Sequence, residues 1–136
     1  MLKVAKSFEY AVLALKYIEE NSQKDCINTK EISENAKIPY DLLAKILQKL
    51  VRKNLVYSIQ GNRGGYKLNR ESGNILLSEI VDAVDQKIQM TDCMLENPTV
   101  QDCSRVGDCC IRSPLSRIHD KVYNIFYSTT LKEIIN

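Results

Sequence analysis

The order of patterns between residues 28 and 70 restricts the fold more than any other feature of this sequence. A short polar helix is expected first, with Asn28 or Thr29 as its N-cap and Glu31 in the position of a capping box. This helix must end near Pro39, because a residue that precedes proline is biased away from helical backbone. Pro39 then suits the first turn of a second helix.

The second helix is expected to run from Tyr40 to Lys53. Apolar residues recur along it at helical spacing, which predicts a buried stripe made of Leu43, Ile46, Leu47 and Leu50. The opposite face is polar and basic. Two helices joined by about three residues, the second with such an exposed face, are typical of a helix-turn-helix.

The stretch "LVYSIQGNRGGYKLNR", residues 55–70, follows directly and predicts a β-hairpin. Two short runs rich in β-forming residues flank "GNRGG", whose glycines can adopt positive φ. A hairpin directly after the second helix is the wing of a winged helix. Arg63 at its tip is placed to enter a minor groove, although an arginine in a turn can also be merely solvated.

The net charge of +2 is divided unevenly along the chain. Residues 37–70 hold eight basic side chains against one acidic side chain, a net charge of +7, so the remainder carries −5. Such asymmetry is expected of a face that binds a polyanion, although a solvated helix and a basic loop would give the same charges.

Three further helices are predicted around this unit. Helices over residues 6–21 and 75–86 present apolar stripes, formed by Phe8, Ala11, Val12, Ala14, Leu15 and Ile18 in the first and by Leu77, Ile80, Val81 and Val84 in the second. A third helix opens at Pro114 and runs to about Ser128, with a narrow seam of Leu115, Ile118, Val122 and Ile125 beside Tyr123, Phe126 and Tyr127. A second copy of the chain would cover that seam, and a two-fold dimer would match a palindromic operator. The alternative is that the third helix folds back on its own domain.

These patterns predict a mainly α fold with a small β-hairpin, namely a winged helix-turn-helix plus a long C-terminal dimerisation helix. We expect a DNA-binding domain over 1–90, a cysteine-rich loop over 91–113, and a dimerisation helix with a C-terminal tail over 114–136. The sequence shows neither a cleavable signal peptide nor a membrane-spanning apolar run, which favours a cytoplasmic location. It also lacks hydrolase, kinase and phosphate-loop motifs, so we expect no enzyme.

The segment "CMLENPTVQDCSRVGDCC", residues 93–110, holds four of the five cysteines. In a reducing compartment such a group is more typical of metal binding or redox sensing than of structural disulfides. The spacing offers no close pair of the C-x₂-C kind, which argues against a zinc finger. Cys93, Cys103 and Cys109 could instead ligate an iron–sulfur cluster. The alternatives are a metal-free loop that acts as a thiol switch or as a docking surface for a partner protein, and a redox enzyme that uses the neighbours Cys109 and Cys110.

The chain resembles the Rrf2 family of winged-helix transcriptional regulators, the group that includes IscR, NsrR and RirA. The resemblance covers essentially the full length, through "KSFEYAVLAL", "ISENAKIPYDLLAKILQKLVRKNLVYSIQGNRGGYKL", "ILLSEIVDAVD", the three-cysteine loop and "TLKEI". Its most specific part is the wing pattern L-V-x-S-x-x-G-x-x-G-G-Y-x-L. The resemblance implies a homodimeric regulator in which Cys93, Cys103 and Cys109 ligate a cluster, [4Fe–4S] in preference to [2Fe–2S], that controls operator affinity.

The fourth ligand is where this sequence departs from the family pattern. IscR-like members place a histidine three residues after the third cysteine, and that position here is Arg112, which has no lone pair to donate. Other relatives supply a carboxylate from the first helix, of the same or the partner subunit, and the matching residue is Glu9. Cys110, His119 and an exogenous ligand are the alternatives, and Cys26 is expected to be a bystander. Carboxylates hold iron weakly, so such a cluster should be labile.

The exposed face of the second helix is expected to read DNA. Base contacts are predicted for Asp41, Ala44, Lys45 and Gln48, with Tyr40 and Arg52 nearer the phosphates. Ala44 stands where IscR carries an acidic residue, so the operator sequence of IscR cannot be transferred. We expect repression by the cluster-loaded form. The signal is left open among iron, cluster supply, nitric oxide and redox state.

Overall fold

The structure is a computed structural model that describes residues 2–136. In chain order its elements are α1 (Lys6–Glu20), α2 (Thr29–Ala36), α3 (Tyr40–Arg52), β1 (Val56–Ile59), β2 (Gly65–Leu68), α4 (Leu77–Ala83), α5 (Arg112–Ser128) and α6 (Leu131–Ile135). Short 3₁₀ turns cover Ser72–Asn74 and Asp92–Met94. The predicted fold class, mainly α with one hairpin, is confirmed.

The start of α2 is fixed by its predicted cap. The Asn28 side chain accepts a hydrogen bond from the amide of Glu31 at 2.8 Å. The Glu31 carboxylate does not close the capping box. It accepts from the Tyr17 hydroxyl at 3.0 Å and pairs with Lys24, which lowers the pKa of Glu31. Glu31 therefore ties α2 to α1 and to the loop between them.

The core lies where α1, α3 and α4 meet. Every residue predicted for the buried stripe of α3 is buried, and so are all four predicted for α4. In α1 the predicted face is buried except for Val12, which is only half-buried because it lies at the edge of the core cluster. The apolar periodicity of the sequence thus placed these three helices correctly.

The wing is an antiparallel pair in which Val56 faces Leu68 across β1 and β2. The chain reverses through Gly61, whose φ of +114° favours glycine. The backbone of Ile27 pairs with Tyr66 through hydrogen bonds of 2.8 and 3.2 Å. Gly65 permits this approach, because a Cβ there would lie 2.5 Å from the Ile27 carbonyl. The α1–α2 loop therefore forms part of the wing.

The C-terminal region divides in a way the sequence did not predict. Helix α5 begins before Pro114, at Arg112, and none of its residues is buried. The predicted tail instead contains α6, whose Leu131 and Ile135 enter the core. The amide of Leu131 donates to the carbonyl of Ile75 at 2.8 Å. Part of the segment assigned to 114–136 thus packs into the winged domain. Within residues 2–136, no helix is long and apolar enough to cross a membrane.

Candidate nucleic-acid interface and cysteine loop

The outward face of α3 carries the residues predicted to contact DNA. Tyr40, Asp41, Lys45, Gln48 and Arg52 are exposed, and Ala44 is half-buried. Within the described part of the chain, the side chains of these residues form no hydrogen bond or ion pair with the protein. They remain free for an external ligand.

Two other basic residues of this region face α4 instead. Lys49 Nζ lies 2.9 Å from Asp85 Oδ2, and Lys53 Nζ lies 2.9 Å from Asp82 Oδ2. The hydrogen bond from Lys49 lowers the pKa of Asp85, and the one to Asp82 raises the pKa of Lys53. The end of α3 is therefore connected to the end of α4, just before the chain continues toward the cysteines.

The wing tip presents Arg63, which is exposed. Its carbonyl accepts a hydrogen bond from the Cys26 thiol, with Sγ and oxygen 2.7 Å apart. Lys67 Nζ donates to the carbonyls of Ser22 and Lys24 at 3.2 and 3.0 Å. Cys26, expected to be a bystander, thus contacts the wing. No pattern around Cys26 marks this contact, because it joins residues 37 positions apart.

The cysteine loop, predicted over 91–113, ends at residue 111 in the structure because α5 begins at Arg112, and it places its thiols in different surroundings. All five cysteines of the chain are free thiols. Cys93 is buried, and its Sγ lies 3.1 Å from Thr91 Oγ1. Cys103 and Cys109 are half-buried, whereas Cys110 is exposed. The three predicted ligands are thus less exposed than the cysteine proposed as their rival.

His119 lies near the loop but contacts backbone. Its Nε2 is 2.9 Å from the carbonyl oxygen of Ile88, and its Nδ1 is 3.4 Å from Asp120 Oδ1. The imidazole also stacks on Tyr123, with ring centroids 5.9 Å apart. His119 therefore joins α5 to the segment that leads into the loop.

The predicted ligands fit an iron–sulfur cluster in chemistry more than in placement. Three thiols on one loop are suitable donors. Yet among residues 2–136, no three Cys, His, Asp or Glu side chains are grouped closely enough to hold a metal ion. The Glu9 side chain is 44% exposed and its carboxylate lies 2.7 Å from Lys6 Nζ. One chain thus carries the donor residues but does not bring them close together, so the ligand set stays a prediction.

An apolar groove of about 540 Å³ runs between the N-terminal segment, the end of α4 and α5. Its apolar lining includes Val4, Phe8, Ile88, Met90, Val122 and Phe126. Beside it α5 leaves Ile118 and Ile125 about half exposed, at 48% and 57%. Tyr123 and Tyr127 stack at 4.3 Å on the same helix. Such a patch exceeds what scattered surface residues explain and is typical of an interaction site.

Comparison with known proteins gives matches along the whole chain. A family model described as "Rrf2: Iron-dependent Transcriptional regulator" matches residues 4–136. A protein of Aquifex aeolicus (strain VF5), whose name classes it provisionally as an HTH-type transcriptional regulator, is 30% identical over 129 residues, 93% of this chain and 87% of that protein. The HTH-type transcriptional regulator IscR of Cronobacter sakazakii is 29% identical over 136 residues, 99% of this chain and 81% of that protein.

Solved structures share the fold. CymR (YrzC), described as the global cysteine regulator of B. subtilis, has a TM-score of 0.75 at 24% identity and covers 99% of this chain and 97% of its own. IscR of T. potens has a TM-score of 0.72 at 22% identity, covering 98% of this chain and 86% of its own. At these identities the likeness establishes the arrangement of helices and wing.

Proposed function

This chain belongs to the Rrf2 family of transcriptional regulators, and from that premise we propose that its cysteine loop controls operator binding through an iron–sulfur cluster. The family consists of regulators of transcription, so the chain is a DNA-binding regulator and not an enzyme. The observation that carries the proposal is the group of free thiols Cys93, Cys103 and Cys109 on one loop next to α5. We also propose that the protein is cytoplasmic, because a regulator must be in the compartment that contains its operator DNA.

In this proposal α3 enters the major groove of an operator. Asp41, Ala44, Lys45 and Gln48 would face base edges, and Tyr40 and Arg52 would contact phosphates. Arg63 would enter the adjacent minor groove from the wing tip. The exposure of this face and its lack of intramolecular partners in residues 2–136 support the assignment. The pairing of Lys49 with Asp85 is the reason to leave Lys49 out.

We propose that two copies bind a palindromic operator as a homodimer. Helix α5 buries none of its residues in one chain, although it carries exposed Ile118 and Ile125. A two-fold axis beside α5 would bring these residues against the partner's equivalent surface and groove. The same axis would fix the separation of the two α3 helices, as two half-sites require.

The cluster would be held by Cys93, Cys103, Cys109 and Glu9, with [4Fe–4S] favoured over [2Fe–2S]. It would supply a centre whose assembly, loss or modification reports iron, cluster supply, nitric oxide or redox state. Glu9 would have to leave its ion pair with Lys6, which costs little because that pair is exposed. Such a weakly held fourth ligand suits a sensor.

The residues between loop and DNA suggest how the signal would travel. His119 and the Ile88 carbonyl join α5 to the segment before the loop. That segment follows Asp85, which is paired with Lys49 of α3. If the cysteine loop became more or less ordered, the change would therefore affect both α5, the proposed dimer helix, and α3, the helix proposed to read DNA. We propose that the cluster-loaded form binds the operator and represses.

A metal-free thiol switch, or control by a partner protein, is the second candidate. The observation that favours it is the lack of any grouped set of three metal donors in the described residues. Cys110 is exposed beside the half-buried Cys109, so an oxidant or a partner could reach the loop without a metal.

Anaerobic purification with a visible spectrum, iron and acid-labile sulfide separates the two candidates. The variants are Glu9→Ala, Cys103→Ala and, as a matched control, Cys110→Ala. The proposal expects brown wild-type protein with equal iron and sulfide, bleached by Cys103→Ala, altered by Glu9→Ala and unchanged by Cys110→Ala. Wild-type protein that stays colourless after reconstitution would contradict the cluster and favour the thiol switch.

A further inference from the structure

Arg112, the first residue of α5, contacts the cysteine loop at two places. Its Nη1 donates to the carbonyl of Val106 at 2.9 Å, and its Nη2 donates to the carbonyl of Cys93 at 3.4 Å. A guanidinium presents several donors in one plane and can therefore hold two acceptors from different chain segments at once. The Arg112 guanidinium therefore has no lone pair to donate to iron, but it can bind two backbone carbonyls.

The same residue is connected to all three predicted ligand cysteines. The carbonyl of Cys93 accepts from the guanidinium directly. The carbonyl of Cys103 accepts from the amide of Val106, whose own carbonyl accepts from Arg112. The carbonyl of Cys109 accepts from the backbone amide of Arg112 at 3.3 Å. Each cysteine-bearing turn of the loop is therefore tied to the start of α5.

We infer that Arg112 is a positioning residue, whose guanidinium holds the cysteine loop against the start of α5. The inference rests on the proposed function only in treating this loop as the signal input. Apart from Cys93, no residue of the loop is buried, so hydrogen bonds must provide most of its order. A loop that is ordered in advance loses less conformational entropy when its thiols converge on a ligand or on each other.

This role gives a reason for Arg112 at a position where the family pattern has a histidine. At the position where IscR-like members place a histidine ligand, this chain has a residue that binds both sides of the loop. The position still links the loop to α5, but through hydrogen bonds to backbone carbonyls.

The test uses full-length, reduced, metal-free protein and measures amide hydrogen exchange by mass spectrometry. The variants are Arg112→Ala and Arg112→Lys, with Arg117→Ala as the matched control, because Arg117 is exposed on the same helix. We expect exchange in peptides covering 93–112 to be about tenfold faster in Arg112→Ala, the size expected from losing one or two charge-assisted hydrogen bonds. Arg112→Lys should restore part of the protection, and Arg117→Ala should match wild type.

Alkylation of the thiols provides a second measurement on the same samples. Cys93 is 8% exposed, so it should react with iodoacetamide slowly in wild type and several-fold faster in Arg112→Ala. Cys26 lies outside the loop and serves as an internal control whose rate should not change.

Two results would overturn the inference. The first is loop exchange and Cys93 alkylation in Arg112→Ala equal to those of wild type. The second is faster exchange throughout α1 and α3 as well, which would make the contact a part of global stability. Neither readout involves metal, so a failure to form a cluster would refute the proposed function and leave this inference standing.

Discussion

The winged domain and the loop–α5 extension, residues 91–128, are stabilised in different ways. The core of the winged domain includes fully buried Leu15, Leu47, Leu50, Ile80 and Leu131, from four different helices. In the extension, Cys93 is the one buried residue. The winged domain therefore buries a core within one chain, although Leu13 and Leu42 stay partly exposed. The extension has no such core and leaves isoleucines and tyrosines exposed.

This difference indicates a division of labour. A fully buried leucine contributes roughly 2 kcal/mol from burial alone, against about 1 kcal/mol net for a typical hydrogen bond. The extension is held by the hydrogen bonds of Arg112 and His119 and by Phe126, whose ring centroid lies 5.8 Å from that of Phe8. With so few buried side chains, it should open locally below the global unfolding free energy. A rigid winged domain beside an extension that reorders easily suits a regulator that is controlled by a ligand.

The largest expected effect is in the core of the winged domain. Leu47→Ala should lower the free energy of unfolding by about 3 kcal/mol, because it leaves a cavity at a fully buried site of α3. Ile125→Ala, on exposed α5, should cost at most about 0.5 kcal/mol when the chain is studied as a monomer. Urea unfolding measures both, and equal losses would remove the contrast between the two regions.

The next effect concerns the exposed seam of the extension. Ile118→Glu combined with Ile125→Glu should convert a dimer into monomers, because charges would replace apolar side chains at the proposed interface. Sedimentation should show the change, and affinity for a two-half-site operator should fall by about tenfold or more. Lys121→Glu, exposed on the same helix, is the control. A double variant that remains dimeric would contradict the proposed role of α5.

A smaller effect distinguishes base contacts from phosphate contacts on the exposed face of α3. Lys45→Ala should reduce affinity for the cognate operator about tenfold but affinity for random DNA much less, since it is assigned to base edges. Arg52→Ala should weaken both about equally and reduce the salt dependence of binding. Fluorescence anisotropy at several salt concentrations distinguishes the two patterns. A uniform loss in Lys45→Ala would reassign it to phosphates.

The smallest effect lies inside the winged domain. Burial raises the pKa of Glu79, but the hydrogen bonds from Arg70 and from the Leu76 amide outweigh it, and the net pKa is lowered. A lowered pKa contributes stability above the ordinary carboxyl range, which is lost as the pH falls through the folded-state pKa. Because the pair is about one-third exposed, Glu79→Gln should cost only about 1 kcal/mol at pH 7.

Urea unfolding of wild type and Glu79→Gln at pH 7 and at pH 3 measures this loss. The difference between the two proteins should shrink as the pH falls below about 4.5, the ordinary value. Glu34→Gln, at an exposed position, is the control and should match wild type throughout. A difference that is the same at both pH values would show that the charge of Glu79 contributes nothing.

The parts of the fold that sequence predicts well are those with local periodicity. The stripe from Leu43 to Leu50 and the glycines of the wing dictate local geometry, so α3 and the hairpin were placed correctly. Helix α6 was missed because it is short, and the burial of Leu131 depends on Ile75, far away in the chain.

The candidate site was predictable only in part, for a related reason. The free thiols and the exposed face of α3 can be read from residue type and spacing. The contact of Cys26 with Arg63 and the contacts of Arg112 with Cys93 and Val106 join distant segments, and no local pattern marks them. A fourth ligand from the partner subunit, as proposed for Glu9, would depend in addition on how two chains are arranged, which one sequence does not encode locally.

The control of DNA binding by a cluster is tested most directly by the operator affinity of one preparation with and without its cluster. Anaerobically reconstituted protein and protein stripped by a chelator should be titrated against one operator by anisotropy at one salt concentration. We expect the loaded form to bind at least about tenfold more tightly, since coupling free energies are usually about 1–3 kcal/mol. Equal affinity of the two forms would contradict the proposal that the cysteine loop controls DNA binding through a cluster.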